Sequence, residues 1–145
     1  MTDIEVVHYR KGDALKLPGY IPNEQQEKLD ALFLSGDSYT GEVAEVPVFC
    51  AGISLYWPGH AEVWLIMGKP ENQYIGCLAK MKDLLELVIQ KHKLFRISAH
   101  VAIDNEEANR LVLHLGFKLE VTLECYGPDR EAYNHYGKLI WQPQP

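Results

Sequence analysis

The chain has 145 residues, 47% of them hydrophobic and 23% charged, with a formal net charge of −6. That length predicts a single domain with a real core over residues 1–145, and the acidic balance argues against broad nucleic-acid binding, which needs Lys and Arg to neutralise phosphates. No apolar run approaches the roughly 20 residues that span a bilayer, and the acidic start Met1-Thr2-Asp3-Ile4-Glu5 lacks the basic and apolar regions of a signal peptide.

Ile4 to Tyr9 alternates loosely around Val6 and Val7 and predicts an opening strand. Asn23 followed by Gln26 marks a capped helix start, with Leu29, Leu32 and Phe33 on one apolar face and Ser35-Gly36-Asp37 as its end. Thr40 to Ala44 predicts a short strand, and Val48 to Leu55 a stronger one that stops at the turn Trp57-Pro58-Gly59. His60 to Met67 is nearly continuous in apolar residues after Glu62, the pattern of a strand buried on both faces. From Ile75 the apolar residues recur at Leu78, Met81, Leu85, Val88 and Ile89, which predicts a helix as far as His92.

Arg96 to Ile103 reads as a strand, with Ile97, Ala99, Val101 and Ile103 alternating against Ser98, His100 and Ala102. Asp104 with Glu107 has the pattern of a capping box, followed by a buried stripe at Ala108, Leu111, Val112 and Leu115. Gly116 stands where a left-handed helix cap is needed. Lys118 to Tyr126 and Tyr136 to Trp141 predict a closing hairpin around Gly127-Pro128-Asp129-Arg130-Glu131. This alternation of elements predicts an α/β (α+β) fold with a mixed sheet, in which the Glu62–Met67 and Arg96–Ile103 strands run parallel, joined by the Ile75–His92 helix as a right-handed crossover.

Cys50, Cys77 and Cys125 are too widely spaced for a disulfide framework or a metal cluster, so a reducing, cytoplasmic setting is the default expectation. The segment Gln73-Tyr74-Ile75-Gly76-Cys77-Leu78 places one glycine at a helix start. Free N–H groups and the positive end of the dipole suit a diphosphate there, and a glycine admits close approach; a lone glycine before a helix is also an ordinary turn. Glu62, near buried aromatics such as Trp64, is a candidate general base and equally a solvated carboxylate at a strand end. His60, on the same face, is a second candidate base. Asn105 reads first as a helix cap.

Taken in order, this strand, glycine-bearing helix start, long helix, second strand and Asn105-opened helix resemble the acyl-CoA-binding half of the GNAT N-acyltransferase superfamily, over roughly residues 48 to 141. The family's pyrophosphate signature, Q/R-x-x-G-x-G/A, is met by Gln73 and Gly76 and broken by Leu78. The resemblance implies a mostly antiparallel mixed sheet with a central parallel pair, helices on both faces and a C-terminal hairpin. It implies acetyl-CoA as acyl donor, held by Leu65, Ile66 and Met67, by Gln73, Tyr74, Ile75, Gly76, Cys77, Leu78 and Ala79, and by Asn105 and Asn109. Glu62 stands in a context similar to that of the general-base glutamate in the histone-acetylating branch.

The implied acceptor is a small-molecule or peptide amine that attacks the thioester directly, with no metal and no membrane involved; a homodimer is compatible. The family's general acid, a tyrosine four residues before the Gly-Phe pair, is here Val112, and His114, Tyr126, Tyr133 and Tyr136 are the possible substitutes. The tail from Tyr126 to Tyr136 and the segment from Trp57 to Trp64 also resemble GNAT-like proteins of tailed phages. That likeness, with Leu78 and Val112, keeps open a non-catalytic structural or host-interaction role; Glu62, Gln73 and Asn105 at family spacing favour the enzyme.

Overall fold

The computed structural model describes residues 3–17, 23–67 and 74–140. Seven strands form one sheet: β1 (Glu5–His8), β2 (Asp37–Val43), β3 (Val46–Trp57), β4 (His60–Met67), β5 (Arg96–Ala102), β6 (Lys118–Leu123) and β7 (Tyr133–Leu139). Their order is β1-β2-β3-β4-β5-β7-β6. The helices are α1 (Asn23–Ser35), α2 (Tyr74–His92) and α3 (Glu106–His114), with a short 3-10 turn at Asp13–Lys16. The β4–β5 pair is parallel, as the sequence predicts, with His60 opposite Arg96 and Glu62 opposite Ser98. Among the described residues no helix is long and apolar enough to cross a membrane.

The chain divides into two compact units, Met1–Ser54 with Val63–Leu87, and Leu55–Glu62 with Val88–Pro145. In the first, β1, β2 and β3 are successive antiparallel strands. Ala44 and Glu45 form the β2–β3 turn with φ of 49° and 67°, the left-handed pair that suits the twist of a two-residue hairpin. No Gly or Asn advertises this turn, so the sequence carries β2 to Ala44 and starts β3 at Val48, where the structure ends β2 at Val43 and begins β3 at Val46; β2 also starts earlier than expected, at Asp37 rather than Thr40. Phe33 anchors the core of this unit: it packs with Ala14, Leu17 and Cys50, and Tyr9, Trp64 and Ile66 join from the side.

β4 departs from the expectation of burial on both faces, since only Ala61 is fully buried and the other positions are half-buried. A continuous apolar run reports composition; which faces are covered depends on what packs there, and Trp64 and Ile66 pack against the Phe33 cluster.

In the second unit, β5 buries Ile97, Ala99 and Val101 as its alternation predicts. Ile103 falls beyond the strand and is exposed, whereas Ser98 is buried. The cap of α3 is Asn105, whose side-chain oxygen accepts from the Ala108 N–H at 3.2 Å; Asp104 is therefore not the capping residue, because the helix begins at Glu106. Gly116 takes φ of 94°, and Phe117 N–H closes back on the Val112 carbonyl at 3.1 Å. In the hairpin, β6 starts at Lys118 as predicted but ends at Leu123, before Tyr126, and β7 begins at Tyr133, before Tyr136. Hydrogen bonds from the Tyr126 and Gly127 N–H groups to the Glu131 carbonyl, at 3.1 and 3.0 Å, tie the longer connection together.

Candidate active site

Strand periodicity and register build a polar row in the second unit. His60 and Glu62 are two residues apart on β4 and share a face. On β5, the alternation that buries Ile97, Ala99 and Val101 turns Arg96, Ser98 and His100 the other way. β7 then sets His135 directly opposite His100. β6 supplies Glu120 where its register with β7 slips between Leu119 and Val121, an irregularity of the kind that re-aims a side chain.

The row is connected. The Glu62 carboxylate pairs with His100 Nδ1. His100 Nε2 lies 2.8 Å from His135 Nδ1, His135 Nε2 lies 3.4 Å from Glu120 Oε1, and Glu120 pairs with Arg96. The Tyr126 ring stacks on His100, with centroids 5.1 Å apart and planes at 11°, and Tyr133 packs on Tyr126 at 5.2 Å. Burial lowers the pKa of His135, and the nearby His100 charge adds to the effect.

Glu62 also accepts a hydrogen bond from Tyr56. Burial, then the charge of Glu62 and this hydrogen bond, push the Tyr56 phenol up to about 12, so it stays a donor at neutral pH. The Glu62 side chain keeps 22% of its surface exposed, enough to meet a ligand while two donors fix its direction. His60 lies under the rings of Tyr56 and Trp57, at 4.7 and 5.1 Å, with Nε2 2.9 Å from Ser98 Oγ. Burial, helped by the positive charge of Arg96, lowers its pKa and keeps it neutral. An oriented, partly exposed carboxylate beside a neutral imidazole is equipped to receive a proton.

The sequence singles out Glu62 and His60 and misses their partners Tyr56, His100, His135, Glu120 and Arg96. The polar face of β5 is visible as Arg96, Ser98 and His100 in alternation; that it meets Glu62 depends on strand register, which no local signal supplies.

Of the expected cofactor-binding residues, Leu65, Ile66 and Met67 are half-buried at the end of β4. Gln73 lies outside the described residues, as do the side chains of Tyr74 and Ile75, which open α2. Gly76 is exposed and Ala79 likewise, Leu78 is half-buried, and Cys77 is buried, its thiol pKa raised by that burial. Among the described residues nothing requires a glycine at Gly76: its φ is not left-handed, and an added Cβ would meet Ile4 Cδ1 at 3.4 Å.

Asn105 caps α3. Asn109 donates to the carbonyls of Ala102 and Asn105 at 2.9 and 2.8 Å, and accepts from Tyr136 and Asn134 at 2.6 and 3.0 Å. Its amide is thus filled by groups of the chain. Tyr136 is buried with its hydroxyl given to Asn109; of the other general-acid candidates, the Tyr126 ring stacks on His100 and Tyr133 packs on Tyr126. Val112 is buried on α3.

No protein-family profile matches the sequence, and no curated protein matches it. Solved structures do. A GNAT-family acetyltransferase from Bacillus anthracis superposes with a TM-score of 0.74 at 12% identity, over 96% of this chain and 98% of that one. Ard1 from Thermoplasma volcanium gives 0.77 at 15% identity, over 96% and 99%. A variant of the spermidine N-acetyltransferase SpeG from Vibrio cholerae gives 0.71 at 17% identity, over 94% of each chain. The fold is the GNAT fold. At identities this low the likeness carries the fold, and the chemistry rests on the side chains the GNAT fold here brings together.

Proposed function

We propose that this GNAT-fold chain is an acyl-CoA-dependent N-acyltransferase that moves an acetyl group from acetyl-CoA to a primary amine. The observation that carries the reading is Glu62: a partly exposed carboxylate, oriented by His100 and Tyr56, on the strand that is paired in parallel with β5. Primary amines are ammonium ions at neutral pH and cannot attack until a proton leaves. Glu62 takes that proton, directly or through water, and frees the nitrogen lone pair. The new C–N bond forms at the thioester carbonyl, the C–S bond breaks, and the CoA thiolate leaves and takes up a proton. His60, neutral and two residues away on the same face, is the second candidate base.

Acetyl-CoA supplies the acyl carbon and the thiolate leaving group. Gly76 supports its placement over the start of α2, because this helix start carries an exposed glycine that its own packing does not require; in a helix a glycine costs about 0.5–1 kcal/mol relative to alanine, which a close backbone approach by a diphosphate would explain. Leu65, Ile66 and Met67 offer backbone to the pantetheine arm. The chain's acidic balance suits a cationic small-molecule or peptide acceptor.

A second reading, a GNAT-fold protein of phage type without acyl transfer, draws its support from Val112, buried where a general-acid tyrosine would stand, and from Leu78 in the helix-start motif. Release of CoA thiol separates the two. With acetyl-CoA and a panel of monoamines, polyamines and lysine or N-terminal peptides, at least one acceptor is expected to raise thiol release clearly above hydrolysis. No increase with any of them at millimolar concentration favours the second reading.

A further inference from the structure

Two hydrogen bonds and one ion-pair contact join Glu62, His100, His135 and Glu120, and their proton count is constrained. Two neutral imidazoles carry two N–H protons between them. The tautomer that satisfies both inner contacts places one on His100 Nδ1, donated to Glu62, and one on His135 Nδ1, donated to His100 Nε2. His135 Nε2 then faces the Glu120 carboxylate without a proton. A third proton entering there fills the last contact and turns the two rings into one shared imidazolium between two carboxylates.

We infer that His100 and His135 are positioning residues for Glu62, sharing one dissociable proton whose arrival at the Glu120 end weakens Glu62 as a base. The inference rests on the acyltransferase reading for its catalytic consequence, and on geometry alone for the shared proton. The groups around the pair act in both directions. Glu62 from β4 and Glu120 from β6 favour the third proton, whereas burial and Arg96 from β5 oppose it. Tyr56 shares Glu62 with His100, the Tyr126 ring covers His100, and His60 lies within electrostatic range of His135. The net effect lowers the pKa of His135, so the two-proton form holds at neutral pH and the third proton enters on acidification.

Side-chain NMR titration tests this without any substrate. In the wild-type protein the Glu62 carboxyl carbon is expected to show an inflection coincident with a single transition of the His100 and His135 ring nitrogens. His135→Asn removes the nitrogen that faces Glu120, so a third proton must sit on His100 alone and the inflection moves away from its wild-type pH. Glu120→Gln removes the carboxylate that holds the third proton, so the transition moves to lower pH. An inflection at Glu62 that keeps its wild-type pH in His135→Asn, or two unrelated histidine transitions in the wild type, overturns the inference.

Kinetics supplies the second arm. His100→Ala is expected to lower kcat by about 10- to 100-fold through misplacement of Glu62, leaving KM for acetyl-CoA unchanged, and His100→Asn, which retains an N–H toward Glu62, recovers much of the loss. Equal rates for wild type and His100→Ala overturn the positioning role. A wild-type protein that turns over no acceptor sinks the acyltransferase reading, while the carbon inflection still decides the shared proton.

Discussion

Glu62→Gln is expected to lower kcat by roughly 10² to 10⁴, the range lost when a positioned acid–base group is removed. The glutamine keeps the shape of the side chain and an oxygen for His100 and Tyr56, so the loss isolates the basicity of the group. The acetyl-CoA contacts proposed for the start of α2 and the end of β4 do not involve the Glu62 carboxyl, so KM for acetyl-CoA should change little. The deficit has a characteristic pH dependence. As pH rises toward the pKa of the acceptor amine, more of the amine is already deprotonated and the base matters less. The ratio of wild-type to variant rates should therefore shrink steadily toward alkaline pH. A ratio near one at every pH would make Glu62 an ordinary surface carboxylate and shift the assignment to His60, whose burial-lowered pKa keeps it neutral and able to accept a proton.

The largest effect on stability is expected at Phe33. It is 1% exposed, stacks on Tyr9 with centroids 5.0 Å apart, and meets Trp64 edge-on at 6.1 Å. Phe33→Ala removes the side chain around which Ala14, Leu17 and Cys50 gather and leaves a cavity that β-sheet neighbours cannot collapse to fill. The cost is about 3–5 kcal/mol, which lowers Tm by about 10 °C or more for a chain of this size. Both aromatic contacts lie within the first compact unit. Chemical denaturation should show a reduced midpoint with an unchanged slope; a loss below about 1 kcal/mol would mean that the cluster around Phe33 is not packed as described.

The elements with strong local signals are legible in the sequence. β4 matches its predicted span of His60 to Met67, and α2 begins one residue before Ile75 and ends at the predicted His92. Gly116 takes the left-handed conformation its position demands. Where the signal is weak or shared, the sequence misplaces boundaries. Ala44 and Glu45 make a tight turn without turn residues, and Asp104 and Asn105 are both good caps, of which the structure uses the second. The candidate site divides in the same way. Glu62 and His60 can be picked out because a carboxylate and an imidazole stand at the head of an apolar strand. Their partners come from 38 residues away in each case, His100 for Glu62 and Ser98 for His60, and His135 lies 35 residues beyond His100. Contacts that distant are fixed by strand order and register, which depend on how the whole sheet assembles. Glu120 is harder still to foresee, since it joins the row at a slip in the β6–β7 ladder.

Calorimetric titration of the folded protein with acetyl-CoA tests the acyl-CoA-dependent reading most directly. The exposed glycine at the start of α2 and the unpaired N–H groups that any helix N-terminus leaves, with Leu78 in place of a second small residue, predict saturable binding with Kd between about 1 μM and 1 mM. The absence of any heat of binding at millimolar acetyl-CoA, with the fold confirmed by circular dichroism in the same sample, would contradict it.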